Sequence, residues 1–224
     1  MKRWVDALLR RYAALEAAAV APHIVGRRVL DLGAAENWVA ATLGATTDVW
    51  TCAVDVGPHR RGPGPYVVYD GTRLPFRDHA FDTTLALLTL HHCDHPEGVL
   101  DEALRVTRRR LIVTESVWRT PSERFWLTTL DGRVNRLRHD GRMPPALHVR
   151  RPDQWRDLFR SRGLTIAHEQ WLGSKWERLI HHPREHSTDF FRRFGFQNLL
   201  TRISNDGFTG ANLVINFLHQ MRID

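Results

Sequence analysis

Cysteine is nearly absent. Only Cys52 and Cys93 occur in 224 residues, and they lack C-x-x-C spacing, so neither a disulfide framework nor a metal site is expected. Both read as small buried hydrophobes. No apolar run approaches the roughly 20 residues that a membrane-spanning helix needs. The first twenty residues are interrupted by Asp6, Arg10, Arg11 and Glu16 and read as an amphipathic helix rather than a signal-peptide core, which predicts a cytoplasmic location. Lysine is equally scarce. Lys2 and Lys175 are the only two, so the net charge of +7 rests on arginine. The basic clusters at 105–110 and 133–142 are short and interrupted, without an RNA-binding signature, and nucleic acid is not the expected partner. A complete G-x-G-x-x-G is missing too, because Gly33 is the only glycine of the turn it would occupy.

What is present is enough apolar residue, 42%, to bury one sizeable α/β core. The stretch Arg28–Ala40, RVLDLGAAENWVA, reads as a buried strand, a tight turn and a helix. Such a turn suits a nucleotide-like ligand, since glycine permits close approach and a helix start offers N–H groups. A second strand, Val49–Val56, ends in Asp55 about twenty residues on, where an acid can accept both hydroxyls of a ribose. The loop Pro58–Pro65 is too rich in proline and glycine for a long helix. A short strand over Tyr66–Tyr69 leads to Asp70-Gly71. Phe81–Leu90 is the expected sheet centre and runs into His91-His92. A helix over Glu97–Val106, a basic turn at Arg108–Arg110 and a strand Leu111–Thr114 ending at Glu115 follow. The β-α alternation predicts a parallel sheet with ligands beyond the strand C-termini, where Asp31, Gly33, Asp55, Asp70, His91, His92 and Glu115 all fall.

Five blocks, VLDLGAAENW, AVDV, YDGTRLPFRDHAFD, LLTLHHCDHPEGVLDEALRV and RLIVTESVW, resemble in order and spacing those of class I S-adenosylmethionine-dependent methyltransferases of the ubiquinone/menaquinone type. The resemblance covers roughly residues 28–117. It implies a Rossmann-like α/β fold, with a mostly parallel seven-stranded sheet, helices on both faces, an N-terminal helix and a lid insertion. It implies S-adenosyl-L-methionine as cofactor, S-adenosyl-L-homocysteine as product, and in-line methyl transfer to oxygen, carbon or nitrogen of a small molecule. On that pattern Asp31 and the turn Gly33, Ala34, Ala35 and Asn37 hold the amino-acid end of the cofactor. Asp55 takes the ribose, Val56 lies against the adenine, and Asp70 with Gly71 reaches the adenine amino group. Leu88, Thr89 and His91 line the methionine side. The family usually has further glycines where Ala35 and Asn37 stand. Asn37 tolerates a left-handed turn, whereas Ala35 adds a methyl and Glu36 a negative charge. That departure motivates a second reading, a non-methylating scaffold or cyclisation enzyme of the same fold. The basic charge motivates a third, an RNA methyltransferase.

His91 and His92 are the expected general bases, of which one faces the pocket if the two alternate as strand residues do. Glu115 is the alternative base. The expected organisation is a helical cap (1–27), a methyltransferase domain (28–193) with a lid insertion at about 117–150, and an extension (194–224). In the insertion Arg133, Arg136, Arg138, His139 and His148 are candidates to meet the acceptor. Pro152–Arg162 reads as a helix. Leu164–Leu172 and about His186–Arg193 are the expected antiparallel last strands. The tail carries Leu213–Leu218 at helical spacing and offers an apolar face to the sheet, the lid or a second copy in a homodimer.

Overall fold

Strand β1 (Arg28–Leu32) is buried at four of its five positions, as a strand sandwiched between two helical layers must be. In the computed structural model, which describes residues 2–121, 124–125, 127–129, 148–172 and 212–215, β1 pairs in parallel with β2 (Trp50–Asp55) on one side and β4 (Phe81–Leu87) on the other. Strand β3 (Tyr66–Val68) adds to β2, and β5 (Thr107–Ser116) to β4, again in parallel. Two antiparallel strands, β6 (Glu169–Leu172) and β7 (Asn212–Ile215), complete a seven-stranded sheet in the order 3-2-1-4-5-7-6.

Helices α1 (Lys2–Val20) and α2 (Trp38–Thr46) cover one face. Ala17 and Val20 of α1 pack there with Val29, Leu43, Leu85 and Ile112. Helices α3 (Pro96–Val106) and α4 (Pro152–Ser161) cover the other, where Leu100, Trp155 and Phe159 bury against Leu30, Val54 and Phe81. Each of these two begins with proline, whose fixed φ and missing N–H suit the first helical turn. At 25 cal/mol per Å², side chains of this size contribute about 2 kcal/mol each on burial.

Two features differ from the sequence expectation. Arg108–Arg110 belong to β5 rather than to a turn, because a register shift opposite Phe81–Thr83 lets the strand start at Thr107 with Arg108 and Arg109 in solvent. The strand beside β5 is formed by Asn212–Ile215, where helical spacing was expected; a short β-branched apolar run fits either period. The expected strand at His186–Arg193 lies outside the described residues. Helix α1, the expected helical cap, lies along one face of the sheet with its C-terminal half. Its Arg10 guanidinium stands 4.1 Å from the Trp38 ring centroid at the start of α2.

Candidate active site

The turn after β1 is closed by its own backbone. Gly33 and Ala34 N–H both donate to Val54 O (2.9 and 3.2 Å), Asn37 N–H donates to Ala34 O (2.8 Å), and Ala35 N–H donates to the Asp55 carboxylate (2.8 Å). The N–H groups of Gly33, Ala34 and Ala35 are therefore turned toward β2. Ala35 and Asn37 hold φ of 44° and 68°, the left-handed region that glycine would take without strain. Asn37 secures the conformation by donating from Nδ2 to Pro63 O at 2.7 Å. Beside it, Glu36 O accepts from Arg61 and Gly62 N–H (3.0 and 2.8 Å), so the loop after β2 is strapped across the turn. The Tyr66 hydroxyl lies 2.8 Å from Gly57 O and 3.1 Å from Ala35 O and ties the other side of the strap. Of Asp31 and the turn, only Gly33 lines the cavity that opens at the sheet edge.

That cavity, of about 470 Å³, brings together Gly33, Asp55, Val56, Asp70, Gly71, Leu88 and Thr89. Such a volume suits a ligand of cofactor size. A Cβ on Gly33, whose φ is +71°, would lie 2.3 Å from Thr89 Cγ2, so the chain after β4 packs directly over the glycine. Leu88 makes this approach possible with a φ of 56°, a costly conformation for leucine and of the kind stored at ligand sites. Thr89 Oγ1 is 3.0 Å from Leu32 O.

The carboxylates of this wall differ in environment. Burial pushes Asp55 above the ordinary carboxylate range, opposed by N–H donors from Ala35, Gly57 and Val56 and by His59. Its two oxygens accept one hydrogen bond each from Ala35 (2.8 Å) and Gly57 (3.3 Å), which leaves lone pairs for a ribose. Asp70 is exposed and held down at about 2 by the Arg73 and Thr72 N–H groups at 2.9 and 2.8 Å. Asp31 is pushed up to about 7 by burial first and by Glu16 of α1 second, against a 3.2 Å hydrogen bond from Ala40 N–H.

The other wall departs further from expectation. The chain leaves β4 at Leu87, and Leu90–His92 form a 3₁₀ turn rather than a strand end. His92 lines the cavity. His91 does not: it is buried, with Nδ1 2.5 Å from Glu115 Oε2. Glu115 is buried as well and accepts from Leu90 N–H at 2.8 Å, which removes it from the cavity as a base. The ends of the insertion meet here. Val117 bridges Arg150, the Trp118 indole donates to Val149 O (3.1 Å), and His148 N–H donates to His91 O (3.1 Å). Arg133, Arg136, Arg138 and His139 lie outside the described residues.

Residues 30–112 match the methyltransferase domain family. A demethylmenaquinone methyltransferase of Beutenbergia cavernae is 38% identical over 119 residues, half of this chain and 48% of that protein. The chain thus spans about half the length of the curated relatives it matches. Among solved structures, a putative methyltransferase in complex with the Haloferax volcanii Trm112 activator has a TM-score of 0.66 at 15% identity, covering 93% of this chain and 91% of the other. The [4+2]-cyclase SpnF has a TM-score of 0.57 at 19% identity, covering 93% and 79%. Residues 30–112 are thus similar to a methyltransferase domain.

The cavity fits S-adenosylmethionine, the cofactor that this match implies. Gly33 and Gly71 leave a cradle that side chains would fill, Asp55 retains acceptor capacity, and exposed Val56 offers an apolar surface for a base. Sequence reasoning missed His59, Cys93, Asp94 and His95 on the cavity wall. The His-Cys-Asp-His run after His91 was the available signal, but its register depends on the 3₁₀ turn.

Proposed function

We propose that this protein transfers the methyl group of S-adenosylmethionine to a small molecule carrying an ionisable hydroxyl, with His92 as the base. The observation that carries the reading is the convergence of Gly33, Asp55, Val56, Asp70, Gly71, Leu88 and Thr89 with His92 around one cavity. When bound, the cofactor supplies a sulfonium-bound methyl, an electrophile that needs little help from the protein. Asp55 would accept the ribose hydroxyls, Asp70 would meet the adenine amino group, and Leu88 and Thr89 would hold the methionine side near Gly33. His92 would take the acceptor's hydroxyl proton and leave the acceptor an anion, able to attack the methyl that the cofactor supplies. Relatives are named demethylmenaquinone methyltransferases, and a ring of the quinone class carries such hydroxyls in its reduced form, which supports this acceptor class.

Isothermal titration with S-adenosylmethionine and S-adenosylhomocysteine tests the reading. Micromolar binding of both is expected, and Asp55→Ala weakens it about 100-fold, the loss of roughly 3 kcal/mol of charge-assisted hydrogen bonding. No heat at high micromolar cofactor overturns methyl transfer, and unchanged affinity in Asp55→Ala overturns the ribose assignment.

A further inference from the structure

The turn that presents His92 is anchored by two buried groups to which methyl transfer assigns no task. Glu115, at the end of β5, accepts from the Leu90 backbone with one oxygen and from His91 Nδ1 with the other, at 2.8 and 2.5 Å. Both side chains are sealed from solvent, at 1% and 2% exposure. From above, the His91 carbonyl accepts His148 N–H at the return of the insertion. The His91 ring lies under that of His92, with centroids 4.1 Å apart and planes inclined by 43°. A single 3₁₀ turn has poor internal hydrogen bonds, so its geometry is set by such outside anchors. The field of Glu115 reaches the cavity wall: together with burial, the larger cause, it pushes the Cys93 thiol up to about 12.

We propose that His91 and Glu115 form a positioning dyad for His92, fixing the direction of its ring into the cavity and biasing its protonation from beneath. The proposal rests on His92 being the base of the transfer. Neither dyad member touches the acceptor. A negative charge behind an imidazole favours its protonated form. The other titratable groups around His92 are Asp94, Cys93 and His95 on its own segment, and Asp55, His59, Tyr69 and Asp70 across the cavity. Glu115→Gln removes the charge. It also sets an amide NH₂ against one of the two donors, so the turn loses an anchor.

The test follows the ring carbon–proton resonance of His92 by NMR through a pH titration, a readout that needs neither acceptor nor turnover. In Glu115→Gln the His92 midpoint falls by at least about half a pH unit. The acid limb of kcat moves to lower pH with it. At the plateau kcat falls about tenfold through misplacement of the ring, while the Kd for S-adenosylmethionine stays within about twofold. Glu115→Asp keeps the charge but retracts it by one methylene, so the midpoint holds while kcat falls. An unmoved midpoint in Glu115→Gln overturns the dyad, as does a kcat loss matched by lost cofactor affinity. If Glu115→Gln does not fold, wild-type kcat in Glu115→Asp overturns it. Absence of cofactor binding in the wild type, or full activity in His92→Ala, instead refutes the transfer reading and leaves the NMR midpoint to decide the dyad.

Discussion

The two walls of the cavity are anchored in different ways. On the cofactor wall each acid is held by amides of nearby loops: Asp70 by Thr72 and Arg73, Asp55 by Gly57 and by Ala35 of the turn beside it. On the acceptor wall the turn bearing His92 is held by Glu115, 25 residues away on a neighbouring strand, and by His148 from the end of the insertion. The first wall is built before any acceptor is considered. The second depends on contacts between β5, the return of the insertion at His148 and the end of β4, so its geometry hangs on long-range packing.

The largest expected effect separates the walls outright. His92→Ala lowers kcat by about 100- to 1000-fold, the range for losing a positioned general base. The Kd for S-adenosylmethionine changes less than about twofold, because the side chain belongs to the acceptor wall. Single-turnover kinetics beside calorimetry checks both numbers. An equal loss in affinity would show that the walls are one unit and break the comparison.

The same division explains what was legible in the sequence. Strands β1 and β2 and the acids at their ends follow from short apolar runs closed by Asp or Gly, and the start of β4 lies where local pattern puts it. Places that failed depend on residues remote in the chain. Nothing in the sequence near His91 announces that Glu115 will bury beside it, or that Leu88, the first residue after β4, takes positive φ. Nothing near Asn37 indicates that its amide will reach Pro63. The strand Asn212–Ile215 was misread for the opposite reason: four apolar-rich residues satisfy a helix as readily as a strand, and only pairing with β5 and β6 decides.

Behind the cofactor wall, burial and Glu16 raise Asp31 to about 7 from an ordinary 3.8. Between those values the unfolded chain has released a proton that the folded chain keeps, so stability falls as pH rises from about 4 to about 7 and the loss is complete above it. Such a shift corresponds to roughly 4 kcal/mol. Asp31→Asn keeps an acceptor for Ala40 N–H and removes the charge. It should recover about 2 kcal/mol at pH 8, a rise in Tm of several degrees, and recover nothing near pH 4. Melting curves at the two pH values check this. A variant less stable at pH 8 would mean that Asp31 is ionised and paired in the folded protein.

The smallest expected effect probes the strap that joins the loop after β2 to the turn after β1. A Cβ on Gly62 would stand 2.6 Å from Asn37 O, a backbone atom that cannot swing aside. Gly62→Ala therefore forces the loop off the turn, weakening the hydrogen bonds that Arg61 and Gly62 N–H donate to Glu36 O. Their partial loss costs about 1 kcal/mol. Asp55 and His59 flank the strap, so the cost falls on the cofactor wall: Kd rises about threefold and Tm drops a few degrees, while kcat at saturating cofactor is unchanged. A kcat that falls with Kd intact would place the strap's influence on the acceptor wall and reverse the assignment of that loop.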